Sequence, residues 1–406
     1  MKGKLVQFGA GNIGRSFIGQ LFSRSGYEVV FVDVAERIIA ELNSRGAYRV
    51  IVKRDGKNDE EIVVEGVRAV NGRDAPAVER EICSAEYIAT SVGQQALATV
   101  LPVIASGLAH RFTNIEADPV DIIIAENIRR GAELFRQALL PAFPVQQSFD
   151  DMVGLVETSI GKMVPIMREE DIRRDPLWVF AEPYNTLIVH SGGFRNNPPQ
   201  VEGMKLVDDI GAYVDRKLFI HNMGHAACAY FAYARDPSLV SISDAIHIPA
   251  IRDATREAMM QSASALHRRY PNAFTPADLE EHVRDLISRF GNRALGDTIH
   301  RVGRDLYRKL HREDRLVGAM LLAHRNNLPY DAIALAFLAA LEFAAPGPDG
   351  TLLVQDSRFR RTELAKGLDT VLYEVCNLRD VDPDERAVMA RLRELHRTQE
   401  QIRERG

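Results

Sequence analysis

Short apolar segments alternate with amphipathic ones through the first half of the chain. Residues 5–8 and 28–33 have the apolar composition of buried strands, and the stretch between them has the spacing of an amphipathic helix. Three further buried strands are predicted at residues 87–92, 121–125 and 152–158. Strands that alternate with helices are typical of a parallel sheet covered on both faces, so this half is predicted to be an α/β domain.

A polar turn interrupts this alternation. The sequence Asp55-Gly56-Lys57-Asn58 separates two strand-like segments, at residues 49–53 and 61–65. A short turn of this composition between two such segments predicts a β-hairpin. We interpret the hairpin as an insertion into the regular α/β pattern.

The pattern changes to helical spacing after residues 191–199, the densest cluster of glycine, asparagine and proline in the chain. We place the domain boundary in this cluster, which gives an α/β domain over residues 1–197 and a mainly α-helical domain over residues 198–406. Helices of the second domain are predicted at residues 208–233, 248–269, 276–289, 297–311 and 332–341, and from residue 384 onward.

Length and composition agree with two globular domains. A chain of 406 residues exceeds the roughly 250–300 residues at which a single core stops growing. The net charge of −5 is spread along the chain, and the longest wholly apolar run, residues 332–341, is well short of the ~20 residues that cross a bilayer. We therefore expect neither a nucleic-acid nor a membrane partner.

The three cysteines, Cys83, Cys228 and Cys376, lie far apart and form no C-x-x-C pair. This spacing predicts neither a disulfide framework nor a zinc knuckle, and it fits a reducing compartment. The chain runs from Met1 directly into the first predicted strand, so no cleavable secretory leader is expected. We expect a cytoplasmic protein.

A glycine-rich loop follows the first predicted strand and opens the first helix, with the sequence Gly9-Ala10-Gly11-Asn12-Ile13-Gly14. In a G-x-G-x-x-G loop, the first glycine permits a tight turn, the second lets the backbone approach a pyrophosphate, and the third lets the helix pack on the strand. The anion then lies at the helix N-terminus, where unpaired N–H groups favour negative charge. The motif alone is a weak signal, because glycine turns also have purely structural uses.

Asp33 strengthens this interpretation. It ends the second predicted strand, about 20 residues after the loop, where a carboxylate accepts hydrogen bonds from the adenosine ribose hydroxyls. Its charge would repel a 2′-phosphate, which favours NAD over NADP, although Arg37 one helical turn later could weaken that preference. We predict a Rossmann-type domain that binds NAD through the loop and this carboxylate.

A second polar cluster, Lys217, Asn222 and His225, lies in the first long helix of the second domain. At ~100° per residue, the three side chains fall on one side of an α-helix. A buried lysine of lowered pKa can act as an acid or base, an amide can donate to a developing alkoxide, and an imidazole can hold the lysine or a substrate hydroxyl. The same spacing also fits a solvated lysine, a capping asparagine and a structural histidine.

A metal site is a further interpretation of this helix. His221 and His225 are spaced i, i+4, which could place two imidazoles on one metal ion. The glutamate of an H-E-x-x-H motif is missing, because position 222 is asparagine. We therefore expect no metal.

These motifs resemble the polyol-specific long-chain dehydrogenase/reductase family, whose signature Lys-x4-Asn-x2-His matches Lys217, Asn222 and His225. Within that family, the sequence is particularly similar to the mannitol-1-phosphate 5-dehydrogenase branch. The similarity covers nearly the whole chain up to about residue 345 and includes residues 8–15, 126–127, 216–219, 224–225, 229–230, 301–304 and 308–310.

The resemblance implies a metal-independent, NAD-dependent interconversion of D-mannitol 1-phosphate and D-fructose 6-phosphate. It gives Lys217 the role of general acid/base, Asn127 and Asn222 the polarisation of the carbonyl oxygen, and His225 the positioning of the lysine or the substrate. It also implies a monomer, with a dimer as the alternative.

Two segments depart from the family pattern. Gly161-Lys162 stands where the family usually has Asp-Arg, and Arg293 follows Asn292 where the family usually has proline. Both leave the exact substrate open, with an unphosphorylated polyol or a sugar acid as alternatives, as in mannitol 2-dehydrogenases or hexuronate reductases. The missing aspartate also motivates a non-catalytic NAD sensor, against which the intact lysine, asparagine and histidine argue.

Arg301, Arg304 and Arg308 are spaced i, i+3, i+7 in a predicted helix, so they would share one face. Such a face can bind a dianionic phosphate through charge-assisted hydrogen bonds, although a basic stripe is often only a solvated face. The resemblance to a phosphate-using branch favours the first interpretation. We assign the three arginines to a substrate phosphate.

Overall fold

The computed structural model describes residues 2–114 and 116–405. Contacts between residues divide the chain into two compact units, which separate between Val214 and Asp215. This division falls later than the predicted boundary at residue 197, because a strand at Met204–Val207 still pairs with the sheet of the first unit.

The strands of the first unit are β1 (Lys4–Phe8), β2 (Glu28–Asp33), β3 (Ala47–Val52), β4 (Glu60–Glu65), β5 (Val67–Asn71), β6 (Tyr87–Thr90), β7 (Val120–Ile124), β8 (Val153–Ser159), β9 (Val179–Ala181), β10 (Leu187–His190) and β11 (Met204–Val207). Eight of the strands form one sheet, in the order β11-β10-β8-β7-β6-β1-β2-β5. Neighbouring strands are parallel except β8 and β10, which pair antiparallel. The predicted Rossmann-type α/β fold is therefore confirmed.

The α-helices of the first unit are α1 (Gln20–Arg24), α2 (Glu36–Arg45), α3 (Ala75–Cys83), α4 (Gln94–Arg111), α5 (Gly131–Leu139), α6 (Phe149–Met152), α7 (Glu169–Arg174) and α8 (Ile210–Arg216), whose last residues belong to the second unit. A π-helical turn at Gly14–Gly19 precedes α1. Adjacent residues of a strand point to opposite faces of the sheet. Leu5 and Val6 accordingly belong to different apolar clusters, so both faces of the sheet are buried.

The predicted hairpin is confirmed. Strands β3 and β4 pair antiparallel, and together with β9 they form a second sheet of three strands. The Tyr48 hydroxyl in β3 donates a 2.7 Å hydrogen bond to the carbonyl oxygen of Arg15, just after the glycine loop. The hairpin therefore supports the segment that follows β1.

The second unit is helical, as predicted. After a π-helical turn at Lys217–Asn222, its α-helices are α9 (Met223–Arg235), α10 (Ile242–His247), α11 (Pro249–Arg269), α12 (Pro276–Phe290), α13 (Ile299–Gly303), α14 (Leu306–Lys309), α15 (Val317–Arg325), α16 (Asp331–Glu342), α17 (Val354–Thr362), α18 (Leu368–Thr370) and α19 (Pro383–Arg405). Gly224 allows α9 and α11 to approach closely, because a Cβ at this position would lie 2.5 Å from Met259 Sδ. Among the described residues, no helix has both the length and the apolar character that a membrane span requires.

One predicted helix is wrong. The chain at residues 297–311 forms two short helices, α13 and α14, instead of one. Asp305 breaks the helix with a left-handed backbone conformation (φ 75°). The buried carboxylate of Asp356 then accepts hydrogen bonds from the backbone N–H groups of Asp305 and Leu306, at 2.9 and 2.8 Å. The Asp356 carboxylate thus accepts from two N–H groups that would donate to helix carbonyl groups if the helix were continuous. It therefore stabilises the break.

Candidate active site

The glycine loop lies at the carboxyl end of β1, where the order of the strands reverses. From β1 the sheet extends through β2 to β5 on one side and through β6 to β7 and β8 on the other. Ligands of open α/β sheets bind at the carboxyl edge, at such a switch point. The position of the loop therefore fits a nucleotide site.

The three glycines of the loop differ in what surrounds them. Gly9 has a φ of +94°, and a Cβ at Gly14 would lie 2.0 Å from the carbonyl oxygen of Gly9, so both positions require glycine for structural reasons. A Cβ at Gly11 would meet no atom within 4 Å. The open space at Gly11 fits the close approach of a pyrophosphate, which is the role predicted for the second glycine.

Both backbone polar groups of Ala10 form hydrogen bonds with side chains. Its N–H donates to Asp33 Oδ2 at 2.7 Å, and its carbonyl oxygen accepts from Arg15 Nε at 2.6 Å. Asp33 Oδ1 accepts from the N–H groups of Val34 and Ala35, at 2.7 and 2.9 Å. Asp33 thus ties the glycine loop to the end of β2, and it lies where a ribose-binding carboxylate is expected.

Arg15 was not among the predicted site residues. Its side chain is buried, and Nη1 donates to the carbonyl oxygen of Leu177 at 2.7 Å. Burial lowers the pKa of this guanidinium, which shows that its environment disfavours the charge. Its position one residue after the motif was the available signal.

Asn127 lies three residues after the end of β7, at the same edge of the sheet. The preceding residue, Glu126, is buried, and its carboxylate accepts hydrogen bonds from the N–H groups of Val92 and Gly93 at 2.8 and 3.0 Å. Burial raises the pKa of Glu126. Glu126 therefore fixes the end of β7 against the start of α4, and Asn127 beside it is exposed.

Lys217, Asn222 and His225 lie at a π-helical turn in the second unit. Lys217 and Asn222 are its first and last residues, and the N–H of Met223 donates to the carbonyl oxygen of Leu218, five residues earlier. The predicted geometry assumed an α-helix throughout and was wrong in this respect. A π-helical turn has i→i+5 hydrogen bonds and is frequent at functional sites. It brings residues five apart, such as Lys217 and Asn222, closer to one face than an α-helix would.

The surroundings of Lys217 favour its neutral form. Burial, together with the charge of Arg315, lowers the pKa of Lys217 to about 8. Arg315 is itself buried, donates from Nε to Asp314 Oδ1 at 2.6 Å and approaches the carbonyl oxygen of Asn222 with Nη1 at 3.4 Å. A lysine in this range can give or take a proton near neutral pH.

The imidazole of His225 is held between an aromatic ring and a carboxylate. It stacks on Phe290, with ring centroids 4.6 Å apart, and its Nε2 lies 3.6 Å from Asp297 Oδ2. Burial, with the nearby charges of Lys309 and Arg301, lowers the pKa of His225 to about 3. His225 is therefore a neutral imidazole at physiological pH.

The second histidine of this helix, His221, is also buried, and burial lowers its pKa well below the ordinary value. The ring centroids of His221 and His225 are 6.4 Å apart. In the part of the chain that the structure describes, no group of three or more His, Cys, Asp or Glu side chains is arranged to hold a metal ion. Independence from metals remains a prediction.

Arg301, Arg304 and Arg308 do not share one helix face, because the helix predicted for them is broken. Arg301 belongs to α13 and forms an ion pair with Asp297, whereas Arg308 belongs to α14 and pairs with Asp305 at 2.6 Å. Arg304 lies between the two helices, and all three side chains are exposed. Their assignment to a phosphate remains a prediction.

Gly161 and Lys162, which depart from the family pattern, follow β8. Lys162 is buried, and its Nζ donates to the carbonyl oxygen of Tyr184 at 2.8 Å and to Asn185 Oδ1 at 2.9 Å. A Cβ at Gly161 would lie 3.5 Å from the Tyr184 hydroxyl, at ordinary contact distance. Tyr184 thus occupies the space beside the position where the family usually has an aspartate.

Asp297 and Arg315 were missed by the sequence analysis. Asp297 stands four residues before Arg301, a spacing that fits an ion pair on a helix, and this was its only local signal. Arg315 had none. Their proximity to His225 and Asn222 depends on contacts between segments that are about 70 and 90 residues apart, which local spacing does not encode.

Known proteins resemble this chain over most of its length. Residues 3–203 match the family described as "Mannitol dehydrogenase Rossmann domain", and residues 209–382 match "Mannitol dehydrogenase C-terminal domain". A mannitol-1-phosphate 5-dehydrogenase from Brevibacillus brevis is 36% identical over 87% of this chain and 89% of that protein. One from Bacillus subtilis is 33% identical over 95% of this chain and 99% of that protein.

Solved structures share the fold. The mannitol 2-dehydrogenase of Pseudomonas fluorescens, solved with NAD and D-mannitol, has a TM-score of 0.73, is 15% identical and aligns over 97% of this chain and 90% of its own. A D-sorbitol dehydrogenase solved without substrate has a TM-score of 0.74, is 15% identical and aligns over 95% of this chain and 91% of its own. With both domain families matched in order along the sequence, the chain belongs to the mannitol dehydrogenase family.

Proposed function

We propose that this chain is an NAD-dependent, metal-independent dehydrogenase that interconverts D-mannitol 1-phosphate and D-fructose 6-phosphate. The observation that carries the proposal is Lys217, a lysine with a pKa of about 8 at a π-helical turn that also presents Asn222. Two relatives with 33% and 36% identity over most of the chain bear the name of this activity. Family membership supports the reaction class, and the two relatives support the substrate pair.

The first unit supplies the residues that would hold the cofactor. The open backbone at Gly11 would face the pyrophosphate, and the Asp33 carboxylate would accept from the adenosine ribose. The negative charge of Asp33 disfavours a 2′-phosphate, which supports NAD over NADP. When bound, NAD supplies the hydride acceptor and NADH the hydride donor.

Proton transfer is assigned to the second unit. In oxidation, the neutral amine of Lys217 takes the proton of the reacting hydroxyl while the carbon loses a hydride, so that a ketone, NADH and one proton result. In reduction, the ammonium form returns that proton. Asn222 and Asn127 are proposed to donate hydrogen bonds to the reacting oxygen, where negative charge develops. His225, which stays neutral, is proposed to orient the lysine or the substrate.

The three exposed arginines are proposed to bind the substrate phosphate. Arg301 and Arg308 already pair with Asp297 and Asp305, so a phosphate would compete with these carboxylates. Arg304, which lies between the helices, is exposed. Two phosphate charges attract a guanidinium more strongly than one carboxylate charge does, which supports an exchange of partners.

An unphosphorylated polyol or a sugar acid is the second candidate substrate. The ion pairs of Arg301 and Arg308 favour it, because arginines that already have carboxylate partners do not require a phosphate.

We further propose that the protein is cytoplasmic and a monomer. The three cysteines, Cys83, Cys228 and Cys376, are free, which supports a reducing compartment.

The decisive experiment compares D-fructose 6-phosphate with D-fructose as substrates, by the loss of NADH absorbance in the presence of EDTA. We expect rapid turnover of the phosphorylated sugar only. Arg304→Gln should then raise KM for D-fructose 6-phosphate about tenfold or more and leave kcat nearly unchanged. Turnover of D-fructose alone would overturn the phosphate assignment, and activity that EDTA abolishes would overturn metal independence.

A matched pair of lysine variants tests the catalytic assignment. Lys217→Met should bind NADH normally and lose turnover by a factor on the order of 10² to 10⁴. Lys366→Met, at an exposed position in the same unit, should behave as the wild type. Full activity of Lys217→Met would overturn the role of Lys217.

A further inference from the structure

Asp297 is shared between two partners. Its Oδ1 forms the ion pair with Arg301, and its Oδ2 lies 3.6 Å from His225 Nε2. The backbone of Asp297 is fixed as well, because its carbonyl oxygen accepts from the N–H of Ile242 at 3.0 Å. The next residue, Thr298, caps α13 by accepting from the N–H of Arg301 at 3.1 Å. The carboxylate is therefore held in place beside the imidazole.

The imidazole has little freedom to turn away from this carboxylate. The ring of His225 is nearly parallel to that of Phe290, with 9° between their planes. Its Nε2 is buried and forms no hydrogen bond within the described residues. A buried nitrogen without a partner is costly, and a carboxylate oxygen 3.6 Å away is the nearest ionic group recorded for it. A shift of about half an ångström would bring the pair to hydrogen-bond distance.

A neutral histidine carries one proton, on either Nδ1 or Nε2. An anionic oxygen beside one nitrogen favours the proton on that nitrogen, because a carboxylate only accepts hydrogen bonds. The other nitrogen is then an acceptor. An acceptor is what His225 needs if it is to hold the ammonium group of Lys217 or a substrate hydroxyl.

We propose that Asp297 is a positioning residue that fixes the tautomer of His225, with the proton on Nε2 and the lone pair on Nδ1. This inference rests on the proposed function for its catalytic consequence, but the tautomer itself does not depend on the identity of the substrate. Without a bound phosphate, the charge of Arg301 favours the ionised form of Asp297 and opposes burial, which raises the pKa of this carboxyl. Arg301, which is assigned to the substrate phosphate, therefore also acts through Asp297 on the helix that carries Lys217 and His225.

Asp297→Asn is the most informative change. The asparagine keeps the size of the side chain, and its carbonyl oxygen can still accept from Arg301. Its amide group would then donate toward Nε2, which favours the opposite tautomer of His225. We expect kcat to fall on the order of 100-fold while the Kd of NADH stays within about twofold, by analogy with other aspartates that orient a histidine.

Asp305→Asn is the matched control. Asp305 forms an ion pair with Arg308 in the adjacent helix, and no contact with His225 is recorded for it. Its left-handed backbone conformation is one that asparagine adopts readily. We expect kcat of this variant within about twofold of the wild type. An equal loss of kcat in both variants would overturn the proposal. Such a loss would show that removing either carboxylate of this segment has the same effect, whether or not the carboxylate lies beside His225.

Nitrogen-15 NMR of histidine-labelled full-length protein measures the tautomer directly. The signals of His225 are identified by their loss in His225→Asn. We expect protonated Nε2 in the wild type and in Asp305→Asn, and protonated Nδ1 in Asp297→Asn. Protonated Nδ1 in the wild type would overturn the proposal even if Asp297→Asn failed to fold. Absence of turnover in the wild type would instead refute the proposed function, and the NMR result would still decide the tautomer.

Discussion

The imidazole of His225 stacks on the phenyl ring of Phe290, with centroids 4.6 Å and planes 9° apart. Phe290 is the last residue of α12 and only 2% exposed, so the aromatic ring forms a fixed wall beside the histidine. His221 lies against the same ring, at 5.9 Å between centroids. One phenylalanine thus contacts both histidines of the helix that carries Lys217.

We expect Phe290→Leu to reduce kcat about tenfold, because the smaller side chain leaves His225 free to rotate. The loss of buried surface and of the stacking should also cost roughly 1–3 kcal/mol of stability. Phe359, which is fully buried and packs on Tyr307, provides the control. Phe359→Leu should cost a similar free energy of unfolding in urea titrations and leave kcat unchanged. Equal kcat values for the two variants would contradict a role for the stacking.

The lowered pKa of Lys217 predicts opposite pH dependences for the two directions of the reaction. In the proposed mechanism oxidation requires the neutral amine, so kcat/KM for the polyol should rise as pH increases through about 8. Reduction requires the ammonium form, so kcat/KM for the ketose should fall over the same range. Initial rates between pH 6 and 10 would test this. Profiles that run in the same direction would be inconsistent with Lys217 as the acid/base.

Arg315→Gln refines the test of this pKa. The positive charge of Arg315 contributes to the low pKa of Lys217, but burial contributes more. Removing the charge should therefore move both pH profiles to higher pH by less than about one unit. A movement to lower pH would show that Arg315 acts on Lys217 in some other way.

The glycine loop predicts a contrast between two alanine variants. Gly11→Ala should fold with normal stability, because the added methyl group meets no atom within 4 Å, and should bind NADH at least about tenfold more weakly. Gly14→Ala should lose a few kcal/mol of stability, because its methyl group would overlap the carbonyl oxygen of Gly9. Thermal unfolding and NADH fluorescence titration separate the two effects. Normal NADH affinity of Gly11→Ala would contradict the nucleotide site.

Buried neutral histidines predict a loss of stability in mild acid. Burial lowers the pKa of His221, His225 and His282, so between the unfolded value of about 6.5 and these lower values the unfolded chain binds more protons than the folded one. Stability must then rise with pH in this window. Each histidine contributes up to about 1.4 kcal/mol per pH unit.

Urea unfolding at pH 7, 6 and 5 measures this slope. Paired carboxylates such as Asp331, whose pKa is lowered, lose stability only at more acidic pH. Burial also lowers the pKa of Lys309 and raises that of Glu126, so a histidine variant is needed to identify the contribution of the histidines. His282→Gln should reduce the rise of the unfolding free energy with pH by the contribution of one histidine, up to about 1.4 kcal/mol per pH unit. A stability that stays constant between pH 7 and 5 would show that the histidines are not neutral and buried in the folded state.

Features that depend on neighbouring residues could be predicted from the sequence. The glycine loop, Asp33, the hairpin and most helices follow from local spacing and turn chemistry, and the structure has them where they were expected. The helix at residues 297–311 could not be predicted correctly, because its break depends on Asp356, 50 residues away from Leu306. Local spacing carries no information about such a partner.

The candidate site shows the same limit. Lys217, Asn222 and His225 were candidates from their types and spacing, and the resemblance to a known family supplied their predicted roles, but the hydrogen-bond register of the helix that carries them was not predicted. Arg315 and Asp297 reach this helix from other segments, and neither had a local pattern that indicated its contact with Asn222 or His225. The residues that adjust the site electrostatically were therefore less predictable than those proposed to act on the substrate.

The π-helical turn at Lys217–Asn222 is the part of this helix that could lose one residue without changing how the side chains on either side of it face one another. Each i→i+5 loop contains one residue more than an i→i+4 loop. Deleting a single residue between Leu218 and His221 would let the turn close as an ordinary α-helix. The ~100° that one residue contributes in an α-helix would be offset by the tighter winding of the closed turn, so Lys217 and His225 would keep nearly the same relative facing. A relative with a one-residue gap here could therefore keep both side chains on the same side of the helix, whereas a gap between Met223 and His225 would turn them apart.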